Sequence, residues 1–296
     1  MCPYKINMPK LQNICKVVSN GKICPRFFRL CFDAPSIVRK VQPGQFVHIR
    51  ARDGLEPFFR RPFSVCRAQK YVEILYEVVG PGTKILSLKK KGDPIDCLGP
   101  LGAPFRMPPK GIKQVVMIAG GIGVAPFLIL SDVLRREQAC SPRRSLGETS
   151  AKPGLFPAGL QLILLYGART KGHVFSMKEF KKNGCTTHVA TDDGSVGTRG
   201  RVDKLFAKIN PDPKTTFIYT CGPDPMMAAV QYFAKRHQLR GQAACEEVMA
   251  CALGACLGCS IRTAKGFRTV CHDGPVFDLK EIIFESDKRK NYPETK

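Results

Sequence analysis

"QVVMIAGGIGVAP", residues 114–126, passes from a run of apolar residues into a glycine turn and out into a second apolar stretch. The run Gln114–Ala119 does not alternate apolar with polar, the mark of a strand covered on both faces. Gly120, Gly121 and Gly123 follow, and a helix is expected to begin near Ala125. Strand, glycine turn and helix together form the repeating unit of a parallel sheet. Glycines at that turn let a backbone come close to a phosphate. Pro126 stands at the third small position, so this is not the usual dinucleotide fingerprint. Taken alone, the turn has the plainer reading of a strand–helix connection.

Downstream, "QLILLYG" (161–167), "THVAT" (187–191) and "TTFIYTCG" (215–222) are further apolar strands. Helices are expected near Val174, Val202 and Asp224. Strands alternating with helices over 111–240 imply a doubly wound parallel sheet. "YGAR" (166–169), "TDDGS" (191–195) and "CGPDPMM" (221–227) fall at or just after strand ends, where such sheets bind ligands. A Ser/Pro/Gly-rich stretch at 139–159 is expected to be a surface loop inserted into this domain. Upstream the pattern differs. "FFRLCF" (27–32), "GQFVHIRA" (44–51), "YVEILYEVV" (71–79) and "DPIDCLGP" (93–100) are short β-runs between Gly/Pro turns, which suggests a small antiparallel barrel over 1–108. "MPPKG" (107–111) reads as the linker.

The 296 residues are enough for two domains, and 44% apolar with 24% charged residues is ordinary for a soluble protein. The longest uncharged apolar stretch, Val115–Leu130, holds three glycines and a proline and is too short to span a bilayer. The N-terminal residues contain no signal-peptide pattern, so a cytoplasmic protein without membrane contact is expected. Fourteen cysteines in that setting point to free thiols and a metal or redox site, not a disulfide framework. Cys15, Cys24, Cys31, Cys66, Cys97, Cys140 and Cys185 are scattered singly, and most of them read as buried structural residues.

The formal charge of +23 is unevenly spread. Residues 1–110 carry 20 Lys/Arg against 7 Asp/Glu, residues 111–240 carry 19 against 9, and residues 241–296 hold 8 of each. The basic residues form no aromatic-interleaved tract, so attraction of anionic cofactors or an acidic partner is favoured over nucleic-acid binding.

In the neutral C-terminal segment, 241–296, Cys251, Cys256, Cys259 and Cys271 read C-x4-C-x2-C-x11-C. The first three match the plant-type spacing for a [2Fe–2S] cluster, which takes four thiolates. Gly254, Ala255 and Gly258 would let the loop wrap the cluster and direct its N–H groups at the sulfurs. Structural zinc more often uses two C-x2-C knuckles, and only one is present. Cys245 falls outside the pattern. The segment is too short for a complete plant-type ferredoxin domain, so it is a small appended module.

Two stretches in the barrel region add chemistry. "RRPFS" (60–64) offers an arginine for a phosphate, an aromatic ring and a hydroxyl. "YEVVGPGTKILS" (76–87) offers a tight turn at a helix start. Together they resemble the FAD-binding barrel of the ferredoxin–NADP reductase superfamily, with R-x-[YF]-[ST] at Arg61–Ser64 and G-x-G-T at Gly80–Thr83. That resemblance implies that Arg61 contacts the FAD phosphates and that Pro62, Phe63 and Ser64 line the flavin. It implies that Leu75, Tyr76 and Glu77 also bind the cofactor, and that Gly82 and Thr83 hold the pyrophosphate. "LGPLG" (98–102) resembles the barrel's closing segment. Gly120, Gly121 and Gly123 resemble part of the superfamily's nicotinamide domain, in which Cys221, Gly222 and Pro223 would lie near the nicotinamide.

Barrel, nicotinamide domain and cluster module, in this order, are similar to the electron transfer subunits of dihydroorotate dehydrogenase B. "MACALGACLGC" (249–259) and "VCHDGPVF" (270–277) are the most specific stretches, and the 139–159 insertion is a departure at a loop. The resemblance implies a multidomain α+β protein using FAD, a [2Fe–2S] cluster and NAD. It also implies a partner, an FMN-containing catalytic subunit, in a heterotetramer with two of each subunit. Electrons would pass from FMN through the cluster and FAD to NAD, in pyrimidine biosynthesis. No residue of this chain is then expected to act as a catalytic base. Arg169 and Lys171 leave NAD against NADP open, and NAD follows from the resemblance. Two alternatives stand: a flavin and iron–sulfur reductase subunit for a hydrogenase, sulfide or ferredoxin partner, and a zinc-stabilised nucleic-acid-binding module.

Overall fold

A computed structural model describes residues 12–52, 54, 56–139 and 159–284. The expected 139–159 loop, apart from its ends, and the charged tail beyond 284 lie outside the described residues, as does Cys140.

Six antiparallel strands close into a barrel. They are β1 (Gln12–Cys24), β2 (Phe27–Asp33), β3 (Phe46–Arg50), β4 (Arg61–Ala68), β5 (Val72–Glu77) and β6 (Pro94–Leu101), in spatial order β1-β2-β5-β4-β3-β6. Short helices α1 (Pro35–Val38) and α2 (Pro81–Ser87) bridge strand ends. Leu30, Phe32, Val47, Ile49, Val65, Val72, Ile74 and Ile95 fill the interior. The longest strand, β1, was not among the expected runs. Its sequence "QNICKVVSNGKIC" is mostly exposed or half-buried, and its pairing with β2 is shifted at two places. A strand that is bent and solvated along most of its length lacks the apolar periodicity by which strands are read.

The second layer system is a seven-stranded sheet ordered β10-β9-β8-β7-β11-β12-β15. Its strands are β7 (Gln114–Gly120), β8 (Gln161–Ala168), β9 (Cys185–Thr191), β10 (Thr198–Arg199), β11 (Thr216–Cys221) and β12 (Arg240–Ala244), all parallel, with β15 (Val276–Asp278) antiparallel at the edge. In β7, Val115, Met117 and Ala119 enter the core on one face of the sheet, and Val116 and Ile118 the core on the other. This two-sided burial explains the unbroken apolar run.

Helix α3 (Ala125–Ala139) begins at the expected residue and packs against barrel strand β4. Helices α5 (Val202–Ile209) and α6 (Asp224–Arg236) also begin where expected. The helix expected near Val174 starts later, as α4 (Met177–Lys182). Phe175 is instead buried in the core, against Phe27 of the barrel and Tyr166 of β8. The chain turns into the helix only at Ser176, whose φ is 63°. Between β12 and β15 the chain makes the cysteine loop and a hairpin of β13 (Ser260–Thr263) and β14 (Gly266–Thr269). No helix among the described residues is long and apolar enough to cross a membrane.

An ion cluster pins barrel to sheet. Glu179 of α4 accepts from Arg29 of β2 at 2.6 Å and from Arg67 of β4 at 2.9 Å. Arg29 also reaches Ser176 and Glu73. Burial pushes the Glu179 carboxyl up, but the hydrogen bonds and the arginine charges outweigh it and hold the carboxyl at about 2, below its ordinary 4.5. A folded-state pKa below the unfolded value gives stability that is complete above about pH 4.5 and is lost as pH falls toward 2. Glu179→Gln is therefore expected to lower stability at pH 7 by about 1–3 kcal/mol. It is also expected to flatten the acid side of the profile, both read from urea midpoints at a series of pH values.

Candidate functional site

Two cavities meet where barrel, sheet and cysteine loop converge. The first, of about 740 Å³, runs from β4 to the chain following β12. Arg61, Pro62, Phe63 and Ser64 line it along β4. β5 contributes Leu75, Tyr76 and Glu77. Met249 and Ala250 close the side next to the cysteine loop. Tyr76 is fixed by a hydrogen bond from its hydroxyl to Asn20 at 3.0 Å, and burial pushes its pKa to about 12.

Gly82 stands against Arg61. A Cβ there would lie 2.5 Å from the Arg61 Nε, so the absence of a side chain gives the guanidinium its place at the turn. Thr83 lines the cavity, but its hydroxyl accepts from the N–H groups of Val79 and Gly80 and donates to the Gly80 carbonyl. It shapes the turn for a ligand to approach, and the cationic group there is Arg61.

The second cavity, of about 670 Å³, opens over the C-terminal ends of β7, β8 and β11. Gly120, Gly121 and Gly123 line it, with Gly222 and Pro223 opposite. "YGAR" and "TDDGS" also reach it, through Gly167, Ala168, Arg169 and Asp192. Cys221 is 1% exposed and stands behind this wall, its thiol pushed up by burial and then by Glu246 and Cys245. Its carbonyl explains Gly123: a Cβ at that position would sit 2.4 Å from the Cys221 oxygen.

Glu77, Ile122, Glu246 and Glu247 line both cavities, so ligands in the two would adjoin there. Of these, sequence reasoning picked out only Glu77. The glutamate pair precedes the first cluster cysteine in the chain, but no spacing rule marked it. Glu246 keeps solvent exposure in the open cleft, whose walls, with the nearby Asp224, push its carboxyl above its ordinary range.

The four motif cysteines come together in the loop after β12. Leu253 N and Cys256 N donate to Cys251 Sγ at 3.3 and 3.5 Å, Gly254 N to Cys271 Sγ at 3.1 Å, and Cys271 N to Cys259 Sγ at 3.4 Å. Burial pushes the Cys251 thiol up, but these N–H groups bring it down to about 7. The thiols neighbour one another in two pairs, Cys251 with Cys256 and Cys259 with Cys271. Two pairs with amides aimed at the sulfurs fit a two-iron cluster, which takes two protein ligands on each iron. The loop wraps through left-handed backbone at Gly254 and also at Ala252 and Leu257, where φ is 56° and 57°. Such conformations in residues with side chains are strained and cluster at functional sites.

Residues 246–283 match the model of the iron–sulfur cluster binding domain of dihydroorotate dehydrogenase B, and residues 117–232 that of the oxidoreductase NAD-binding domain. The electron transfer subunit of dihydroorotate dehydrogenase B (NAD(+)) from Desulforamulus reducens is 34% identical over 277 residues, covering 91% of this chain and 97% of that protein. The corresponding subunit from Bacillus caldolyticus is 35% identical over 90% and 96%. The chain belongs to this family.

As a member it is an NAD-dependent flavin and iron–sulfur oxidoreductase subunit. Among solved structures, an NADH-dependent reduced ferredoxin–NADP oxidoreductase studied for flavin-based electron bifurcation superposes with a TM-score of 0.77 at 26% identity, over 95% of both chains. A ferredoxin–NADP reductase from Neisseria gonorrhoeae with bound FAD and NADP shares the fold, with a TM-score of 0.60 at 16% identity over 77% of this chain and 92% of that one.

Gly123→Ala is expected to push the turn after β7 away from the end of β11, because the neighbouring atom is backbone and cannot swing away. A loss of about 1–3 kcal/mol in thermal unfolding should accompany weaker NADH binding in a fluorescence titration.

Proposed function

We propose that this chain carries electrons out of a dihydroorotate-oxidising complex. An FMN-containing catalytic subunit oxidises dihydroorotate, and this chain passes the electrons through a [2Fe–2S] cluster and FAD to NAD. The observation that carries the reading is the meeting of the two cavities at Glu77, Ile122, Glu246 and Glu247, with the chain that leads into the cysteine loop, up to Ala250, lining the first. A bound flavin supplies the conversion between single-electron and hydride transfer.

The chain's own residues hold and orient. Cys251, Cys256, Cys259 and Cys271 hold the cluster, and their loop amides stabilise charge on the sulfurs. Arg61 pairs with FAD phosphates at the turn shaped by Gly82 and Thr83. Phe63, Ser64, Leu75 and Tyr76 bed the flavin ring. Gly120, Gly121 and Gly123 admit the dinucleotide phosphates, and Gly222 and Pro223, backed by Cys221, wall the nicotinamide end.

Val248, Leu253 and Leu257 are exposed apolar residues around the cluster ligands. With the electrically neutral C-terminal segment, they suit a surface that docks on the catalytic subunit, within residues 249–277 and their flanks. We read the assembly as two copies of each subunit, in the cytoplasm. A second reading is a reductase subunit serving a ferredoxin-type partner. It draws on the end-to-end similarity to the bifurcating oxidoreductase.

The two readings separate when the complex is purified anaerobically from its source and given dihydroorotate and NAD. NADH formation that stops on removal of the catalytic subunit supports the first. A complex whose flavin bleaches with NADH but which makes none from dihydroorotate supports the second. Cys256→Ser is expected to lose bound iron and dihydroorotate-to-NAD activity while its flavin still bleaches with NADH, as read by iron assay and visible absorbance.

A further inference from the structure

Single exposed apolar side chains are ordinary on a protein surface, but Phe58 and Phe59 stand together beside the first cavity. They lie in the connection from β3 to β4, 59% and 53% exposed, with ring centroids 5.3 Å apart and planes at 76°. Phe59 lines the cavity, and Phe58 braces it edge-on.

Arginines hold this connection in place. Arg50 Nη2 donates to the Gly54 carbonyl at 3.1 Å, Arg52 Nε to that of Glu56 at 2.6 Å, and Arg61 Nη1 to that of Phe59. The last bond matters most, because Arg61 is also the cation beside Gly82 at the phosphate turn. One guanidinium thus fixes the backbone of Phe59 and faces that turn. Val79, exposed and apolar, directly precedes Gly80 and lines the same cavity. An aromatic face and an aliphatic side chain therefore adjoin the turn from two segments of the chain.

Chain order decides what the ring serves. Phe63 and Ser64, on the flavin side, follow Arg61, whereas Phe59 precedes it by two residues. FAD has the same layout, with a tricyclic ring at one end, the pyrophosphate in the middle and adenosine at the other end. With the ring system at Phe63 and Ser64 and the pyrophosphate at Arg61, the adenosine falls toward Phe59. Nucleobases stack on aromatic side chains whatever the pattern of their edges. FMN ends at its phosphate, so it can use Arg61 but leaves Phe59 without a partner. A protein surface could also cover two phenylalanines. The place of Phe59 in the cavity wall and its tie to the phosphate-side arginine favour the cofactor.

We propose that Phe59 selects FAD over FMN by giving the adenine ring a face to stack on, with Phe58 bracing that face and Val79 near it. This rests on the flavin assignment above and concerns the half of the cofactor that takes no part in electron transfer.

The test uses the full-length chain with its cluster retained, stripped of flavin and titrated anaerobically with FAD or with FMN. Bound flavin is read by absorbance after ultrafiltration, so no turnover is needed. Phe59→Ala removes the ring and Phe59→Tyr keeps it, at a half-exposed position where substitution costs the fold little. Wild type should hold FAD about tenfold or more tightly than FMN, the scale of one base–aromatic contact. Phe59→Ala should lose about tenfold in FAD affinity with FMN affinity unchanged, and Phe59→Tyr should match wild type.

Unchanged FAD affinity in Phe59→Ala overturns the proposal. An equal loss for both flavins also overturns it, because Phe59 would then act on the flavin half or on the shape of the loop. Weaker association with the catalytic subunit at unchanged FAD affinity, read by gel filtration of the mixed subunits, overturns it and gives the pair to the docking surface. A wild-type chain that binds neither flavin removes the flavin assignment and the proposal together. One that binds FAD tightly keeps that assignment, whatever the Phe59 variants do.

Discussion

The position of the cysteine loop depends on a short set of backbone hydrogen bonds that seat the C-terminal segment on the barrel and the sheet at once. Ala103 N donates to the Gly274 carbonyl, Cys245 N to that of Pro275 at 2.9 Å, and Leu279 N to that of Gly241 at 3.0 Å. The buried Gln231 side chain of α6 adds bonds to the Leu279 and Ile282 carbonyls. Gly102 and Gly274 permit this seat, because a Cβ at either would run into Pro275 or Phe277. The loop from 249 to 259 has little regular structure, so its placement is inherited from these anchors at both ends.

From that seat the electron path acquires its geometry. Because the chain leaves β12 directly into Cys245, Glu246 and Glu247, the residues that continue a sheet strand also form the shared wall of two cavities. The same dozen residues continue to Cys256. Strand, cavity junction and cluster loop are thus one continuous stretch of backbone. Moving one element displaces the others, which is a physical reason for appending a short module here in place of a free-standing domain.

Charge works on two scales. The chain's excess of 23 positive charges favours the approach of anionic dinucleotides. At the junction the sign reverses, with Glu77, Glu246 and Glu247 together and Asp224 nearby. Between barrel and sheet, Arg29 and Arg67 are balanced by Glu73 and Glu179 in a half-buried cluster that holds the two bodies in register. Phe27, edge-on to His173 and tilted against Phe175, seals the same seam with apolar contact.

Features that depend on near neighbours in the chain were legible in the sequence. The C-x4-C-x2-C spacing and the glycine turn after β7 are local, as is the alternation of strands and helices that marks the parallel sheet. Each is set by residues a few positions apart. The tertiary structure alone decided what depends on distant segments meeting. It put the bent, solvated β1 into the barrel, paired Cys259 with Cys271, made Glu246 and Glu247 a shared wall, and set Cys221 behind the wall of the second cavity. The reason is physical: local pattern determines which face of a strand is apolar, while the closure of the barrel and the return of β15 onto β12 determine what covers that face.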